Sequence, residues 1–133
     1  MPDTHPIRIL VVDDEATVRQ SIKLALAGEG YSIDTAASGE EALRQGALAG
    51  YDLVLADMMM PGVSGLDLLK GIQVKDPAAR VVIITGYPTD KAAAQSFRMG
   101  AVDFLPKPFA PAELRAAVAR ALAGRARAAG TKV

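Results

Sequence analysis

The residues best suited to chemistry in this sequence are acids and a lysine that follow short apolar segments. Residues 53–56, Leu-Val-Leu-Ala, end on Asp57, and Pro61 and Gly62 turn the chain just beyond it. An ionised carboxylate is costly inside a buried strand unless it lies at the strand's end and has partners. We therefore expect Asp57 to stand at the end of a strand and to face a crevice.

Other polar residues follow apolar segments in the same way. Each comes at the carboxyl end of a predicted strand: Asp13 and Asp14 after residues 7–12, Thr85 after residues 81–84, and Lys107 after residues 101–105. In a parallel sheet these ends lie at one edge, so we expect the side chains to converge on Asp57. Acids ahead of a helix also cap its free amides, but one of the three acids at residues 13–15 would be enough for that.

The composition of this predicted site suits a divalent cation and a phosphoryl group. Three neighbouring carboxylates repel one another unless a cation intervenes, and Lys107 supplies only one positive charge. Oxygen ligands without histidine or cysteine favour Mg²⁺, with Mn²⁺ or Ca²⁺ as alternatives. A carboxylate such as Asp57 can attack phosphorus to give an acyl phosphate. Thr85 can then donate a hydrogen bond to one phosphoryl oxygen, while Lys107 pairs with another.

The elements that must hold these residues alternate between strands and helices. Segments of strand character occupy residues 7–12, 31–36, 52–57, 81–84 and 101–105. Helical spacing of apolar residues follows each strand, with caps at Ser38 and Ser64 and a final helix beginning near Pro111. This alternation predicts one α/β domain, a doubly wound and mostly parallel sheet with helices on both faces.

The composition of the chain argues against several classes of function. The 133 residues carry 15 basic and 15 acidic side chains, a balance that argues against binding to nucleic acid or an anionic membrane. The absence of cysteine excludes disulfides, a thiol nucleophile and a zinc–thiolate site. Residues 1–6 lack the apolar segment of a signal peptide and no run of 18 apolar residues occurs, so we expect a cytoplasmic protein.

The motifs, in their order and spacing, resemble those of the receiver domain of bacterial two-component response regulators. They are the acidic pair after the first strand, D-x-M-M-P-G from Asp57, I-T-G around Thr85 and K-P-F from Lys107. The likeness covers residues 7–124 and is closest to receivers of enhancer-binding or other transcriptional regulators and of hybrid kinases. It implies a flavodoxin-like (βα)5 fold with strand order 2-1-3-4-5. Residues 1–6 would then be an N-terminal tail and residues 125–133 a C-terminal tail or the start of a linker.

The resemblance also implies what the site binds. Asp57 would be the phosphoacceptor, and its donor would be a phosphohistidine on a sensor histidine kinase or a histidine phosphotransfer protein. Mg²⁺ would be bound directly by Asp14 and Asp57, through water by Asp13, and by the backbone carbonyl of Met59. The domain would catalyse only its own phosphorylation and dephosphorylation, and would otherwise be a signalling switch.

The switch itself has implied residues. Lys107 would contact the phosphoryl group, and the peptide bond between Lys107 and Pro108 would be cis. The hydroxyl of Thr85 would move toward the phosphoryl group while Phe104 turns inward. The face formed by the fourth helix, fifth strand and fifth helix would then signal to an output domain or a partner protein, or form a homodimer.

Two positions depart from the more usual family pattern. In the family, the residues at the positions of Met59 and Tyr87 influence loss of the phosphoryl group. Neither residue can position an attacking water here, which predicts slow self-hydrolysis.

Two other functions stay open. A magnesium-dependent phosphohydrolase with an aspartyl nucleophile often has a second carboxylate at the position of Met59. A phosphorylation-independent binding module usually lacks an acid or the lysine, and none is missing.

Overall fold

The computed structural model describes residues 6–45 and 50–130, with side chains as far as residue 123. Within these residues five strands alternate with five helices. Their order is β1 (Arg8–Val12), α1 (Ala16–Leu26), β2 (Ser32–Ala36), α2 (Gly39–Arg44), β3 (Leu53–Asp57), α3 (Gly65–Lys75), β4 (Val81–Thr85), α4 (Asp90–Arg98), β5 (Asp103–Pro106) and α5 (Pro111–Gly130). The alternation expected from the sequence is confirmed. No helix in the described part of the chain is long and apolar enough to cross a membrane.

The strands form one parallel sheet in the order β2-β1-β3-β4-β5. This confirms the doubly wound, flavodoxin-like architecture. The connections leave in opposite directions from the β1–β3 pair, so the topological switch point lies at the carboxyl ends of these two strands. Val12 pairs with Ala56 in the register of the sheet. The next residues, Asp13 and Asp57, therefore leave adjacent strands at the same level.

An apolar core covers each face of the sheet. Alternate residues of β1 face opposite sides: Leu10 belongs to the core under α2 and α3, whereas Ile9 and Val11 belong to the core under α1 and α5. Every residue of β3 and β4 is buried, because helices cover both faces of these central strands. Burial of the whole of β3 places its terminal carboxylate, Asp57, at the edge of a densely packed core.

Local hydrogen bonds explain where two helices begin. At α3 the Ser64 hydroxyl accepts from the Asp67 amide (3.1 Å), and the Asp67 carboxylate accepts from the Ser64 amide (3.3 Å). This is a complete capping box. At α2 the Ser38 hydroxyl accepts from the Glu41 amide, but the Glu41 carboxylate binds the Ala37 amide instead. The predicted end of this helix, near Ala49, lies outside the described residues.

Two boundaries differ from those that the sequence suggests. Strand β5 begins at Asp103 rather than at residue 101, because Ala101 belongs to the turn after α4, where its amide donates to the Ser96 carbonyl (3.0 Å). Helix α5 continues to Gly130, through residues expected to form a tail from residue 125. Alanine and arginine dominate residues 123–129 and are among the best helix formers, so the backbone stays helical beyond Leu122, the last large apolar residue of the helix.

Candidate functional site

The carboxyl ends of β1, β3 and β5 bring three carboxylates and a lysine together. Asp13, Asp14 and Asp57 each place a carboxylate oxygen within 4.8 Å of the others. Lys107 Nζ lies 3.0 Å from Asp13 Oδ2 and 3.5 Å from Asp57 Oδ1. Lys107 and Asp13 are 94 positions apart in the sequence. The fold thus brings together four of the site residues that the sequence predicts.

Burial and charge shape the ionisation of this cluster. Only 5% of Asp57 is exposed. Burial, the largest cause, and the negative charges of Asp13 and Asp14 raise the pKa of Asp57 to about 6, although Lys107 acts in the opposite direction. Burial would lower the pKa of Lys107, but its hydrogen bond and ion pair with Asp13 and the charge of Asp57 outweigh that effect, so this pKa is raised. The cluster holds more negative charge than one lysine balances.

The turn after β1 holds the acidic pair through both main chain and side chain. The Asp13 amide donates to the Ala36 carbonyl (3.2 Å), and Asp13 Oδ1 accepts from the Glu15 amide (2.9 Å). Arg19 Nη1, from the second turn of α1, donates to the Asp13 carbonyl oxygen (2.7 Å). Asp13 is buried, whereas Asp14 is exposed. Arg19 was not predicted as a site residue, because in the sequence it resembles an ordinary surface charge on a helix.

A cavity with a volume of about 390 Å³ opens over the cluster. Its lining residues come from the end of β3 and from the loops after β1, β3, β4 and β5: Asp14, Glu15, Asp57, Met59, Gly86, Tyr87 and Lys107. The volume lies in the range of small-ligand sites. The side chains of Met59 and Tyr87 are largely exposed. The cavity therefore combines an ionisable floor with two large, accessible side chains.

Thr85 and Phe104 are not among the residues that line this cavity. Thr85 ends β4 and is fully buried; its hydroxyl oxygen accepts from the Tyr87 amide (3.0 Å). Its carbonyl accepts from the Lys107 amide (2.7 Å), which connects the end of β4 to the lysine. Phe104 is half-buried against the core under α3. The peptide bond between Lys107 and Pro108 is cis.

Gly65 allows α3 to begin against the backbone of Asp57. Its amide donates to the Met58 carbonyl (3.0 Å). A Cβ at this position would overlap with the Asp57 carbonyl group and with Met58 Cα. The signal in the sequence was a glycine directly after the Ser64 cap, where a better helix former would otherwise be favoured. The backbone of the site therefore leaves no room for a side chain at position 65.

Gly65→Ala is expected to lower the free energy of unfolding by about 1–3 kcal/mol, because the added methyl pushes α3 away from β3. Gly71→Ala, in the middle of the same helix, is the matched control. Its Cβ would meet only Leu43 Cδ2 at an ordinary 3.6 Å, and alanine is favoured over glycine there by about 1 kcal/mol. Denaturant unfolding measures both variants. Equal changes in the two would contradict the close approach at Gly65.

Known proteins resemble this chain in sequence and in fold. Residues 9–119 match the family model described as the response regulator receiver domain. The transcriptional regulatory protein ResD of Bacillus subtilis is 40% identical over 114 residues, which are 86% of this chain and 47% of ResD. The DNA-binding transcriptional regulator NtrC of Escherichia coli is also 40% identical over 114 residues, 86% of this chain and 24% of NtrC. The chain thus spans about half of ResD and about a quarter of NtrC.

Solved structures of receiver domains have the same fold as this chain. A response regulator receiver domain protein from Clostridium thermocellum superposes with a TM-score of 0.82 at 36% identity, covering 90% of this chain and 96% of that one. NtrX from Brucella abortus gives a TM-score of 0.88 at 32% identity, covering 96% of this chain and 30% of NtrX. With the family match over most of its length and the shared sheet order, the chain belongs to the response regulator receiver domain family, the signalling switches of two-component systems.

Proposed function

We propose that Asp57 accepts a phosphoryl group from a phosphohistidine partner in a Mg²⁺-dependent reaction. The observation that carries this proposal is the cluster at the switch point, where Asp13, Asp14 and Asp57 lie within 4.8 Å of one another beside Lys107. Phosphoryl transfer needs positioning and charge neutralisation more than covalent chemistry from the protein. A strand-end carboxylate with a cation site and a lysine beside it supplies both.

The cluster fits Mg²⁺ as its cation. The three carboxylates are oxygen ligands, and no histidine or cysteine adjoins them among the described residues. Asp14 and Asp57 would bind the ion directly, Asp13 through a water molecule, and Met59 through its backbone carbonyl; Mn²⁺ would substitute. When bound, the ion neutralises charge on the phosphoryl oxygens. Burial and, after it, the negative charges of Asp13 and Asp14 raise the pKa of Asp57, and a divalent cation would balance that negative charge.

Three side chains carry the transfer in this proposal. An ionised oxygen of Asp57 attacks the phosphorus, the P–N bond to the donor imidazole breaks, and the imidazole leaves with the electron pair. Lys107 Nζ, now 3.5 Å from Asp57 Oδ1, pairs with a phosphoryl oxygen. The Thr85 hydroxyl leaves the Tyr87 amide and donates to another phosphoryl oxygen. With a pKa of about 6, Asp57 is mostly ionised at neutral pH, the form that the attack requires.

Incubation with a small phosphoramidate and Mg²⁺ is expected to add one phosphoryl group, seen as a mass increase and released by hydroxylamine as an acyl phosphate. Chelation with EDTA should lower the rate at least about tenfold, because the ion contributes several kcal/mol of charge stabilisation, and Mn²⁺ should restore it. Labelling at an equal rate in EDTA would contradict the metal site. Sustained release of phosphate from small phosphate esters would instead favour a phosphohydrolase.

The signalling face in this proposal is the surface of α4, β5 and α5. Helix α4 is weakly anchored: of its nine described residues Ser96 alone is buried, and the Phe97 ring is half exposed. Such an element can shift between two packings at low cost. Thr85 and Phe104, on the neighbouring strands β4 and β5, would connect it to Asp57. This face would contact an output domain or a partner protein, or form a homodimer, with no nucleic-acid or membrane contact by the domain itself.

Binding of beryllofluoride and Mg²⁺, which together mimic the phosphoryl group, is expected to shift the backbone amide resonances of Ser96, Phe104 and their neighbours in α4 and β5. Amides of α2 are the internal control, because α2 packs on the opposite half of the sheet, beside β2 and α3. Two-dimensional NMR of the labelled protein makes the comparison. Unchanged α4 amides, with clear shifts at Asp57, would contradict the assignment of this face.

We also propose residues 7–124 as the bounds of the receiver domain, with residues 1–6 and 125–133 as a tail and a linker start, although the backbone of α5 is helical to Gly130. The partners would be a sensor histidine kinase or a histidine phosphotransfer protein. The protein would act in the cytoplasm, where ATP-dependent kinases supply phosphohistidine.

A further inference from the structure

Three consecutive methionines follow Asp57, and their environments differ. Met58 and Met60 are 8% and 7% exposed and belong to the core. Met59 is 60% exposed and lines the same cavity as Asp57. Met99, the other methionine in the described residues, is half-buried against the core. Among these four side chains, Met59 is the one whose sulfur combines access to solvent with a place at the site.

An exposed thioether reacts with peroxide. Its sulfur lone pair attacks one oxygen of hydrogen peroxide, the O–O bond breaks, an S=O bond forms, and the second oxygen leaves as water. The sulfur loses two electrons and the peroxide gains them. The product, methionine sulfoxide, is polar and carries a strong hydrogen-bond acceptor, and sulfoxide reductases reverse the reaction. A buried thioether reacts more slowly because the oxidant must reach the sulfur.

We propose that Met59 is an oxidation site through which peroxide shortens the lifetime of the phosphoryl group on Asp57. This inference rests on the proposed function. The unoxidised side chain is a weak acceptor and does not orient a water molecule beside Asp57. Met59 lines the same cavity as Asp57 and Lys107. Its sulfoxide oxygen would accept a hydrogen bond from a water molecule there and position that water to attack the phosphorus.

The hydrolysis regenerates the unphosphorylated protein, in which Met59 is still oxidised. The water oxygen bonds to phosphorus, the bond from phosphorus to the Asp57 oxygen breaks, and the carboxylate leaves with the electron pair. One proton of the attacking water passes to neighbouring solvent water, the other stays on the phosphate, and inorganic phosphate departs. Oxidation of Met59 therefore converts a slowly decaying signal into a quickly decaying one, and reduction of the sulfoxide reverses the change.

The site selectivity is measured by exposing the folded protein to limiting hydrogen peroxide and mapping sulfoxides by peptide mass spectrometry. Met59 is expected to oxidise at least about tenfold faster than Met58 and Met60, following its exposure. In denaturant the three rates should become equal, which shows that the fold creates the difference. Equal rates in the folded protein would overturn the proposal. This measurement does not depend on phosphorylation.

Phosphoryl decay is then followed for each protein before and after peroxide, so every variant supplies its own baseline. Peroxide is expected to accelerate decay several-fold in the unmodified sequence and in Met99→Leu, but not in Met59→Leu, whose side chain cannot be oxidised. Met59→Gln, which carries a permanent polar acceptor of similar length, should decay quickly without peroxide. Treatment with methionine sulfoxide reductase should restore slow decay.

Two failures are distinguishable. A protein that gains no phosphoryl group before peroxide is added disproves the proposed function as well as this inference. Normal labelling followed by decay that peroxide does not change, or that it changes equally in Met59→Leu, overturns the oxidation site alone.

Discussion

Asp57→Asn is expected to abolish phosphoryl incorporation, with the rate falling at least about a thousand-fold, as when other covalent nucleophiles are removed. The amide oxygen of asparagine is a poor nucleophile, and its product would not be a stable acyl phosphate. The substitution keeps the size of the side chain and its ability to accept a hydrogen bond from Lys107. Loss of labelling would therefore report loss of the nucleophile rather than of the cavity. Mass spectrometry after incubation with a phosphoramidate and Mg²⁺ measures it.

Asp76→Asn is the matched control. Asp76 is exposed at the far end of α3, where its carboxylate accepts a hydrogen bond from the Ala78 amide (3.1 Å) that asparagine can retain. This variant should be labelled at the normal rate. Labelling of Asp57→Asn at the normal rate would move the nucleophile to another carboxylate, and peptide mapping would show whether Asp14, the exposed member of the cluster, carries it.

The fold and the convergence of the acids can both be predicted from the sequence, because the second follows from the first. In this sequence, apolar segments of strand length alternate strictly with amphipathic helices. Few architectures fit that alternation other than a parallel sheet covered by helices on both faces. Once the sheet is parallel, residues that end its strands must share an edge. Asp13 and Asp57 therefore meet as a consequence of the sheet topology alone.

Other features depend on packing that a linear pattern does not contain. The hydrogen bond from Arg19 to the Asp13 carbonyl requires a particular rotamer and helix phase. The overlap that excludes a side chain at Gly65 requires the exact distance between α3 and β3. Thr85 ends β4 as expected, but the partner of its hydroxyl, the Tyr87 amide, is visible only in the folded loop. Exposure of Met59 between two buried methionines likewise follows from the loop's path, since the three residues are identical in the sequence.

The same Asp57→Asn substitution is expected to raise the free energy of unfolding of the metal-free protein by up to about 3 kcal/mol at pH 7. The pKa of Asp57 rises from 3.8 to about 6 on folding, a difference that corresponds to about 3 kcal/mol. Between these two pH values the folded state binds more protons at this site than the unfolded state does. Stability therefore falls as the pH rises through this range, and asparagine, which has no charge to bury, escapes the loss.

Denaturant unfolding of both proteins across the pH range tests the sign as well as the size. The difference in stability should be small below about pH 4, where Asp57 is protonated in both states, should grow to about pH 6, and should stay constant above it. Comparison of the two proteins at each pH cancels most other titrating groups, and Asp76→Asn should shift stability by only about 0.5 kcal/mol or less at any pH. A variant no more stable than the unmodified protein at pH 7 would refute the cost of burying this charge. The expected gain means that the carboxylate opposes folding where it stands, as residues retained for chemistry often do.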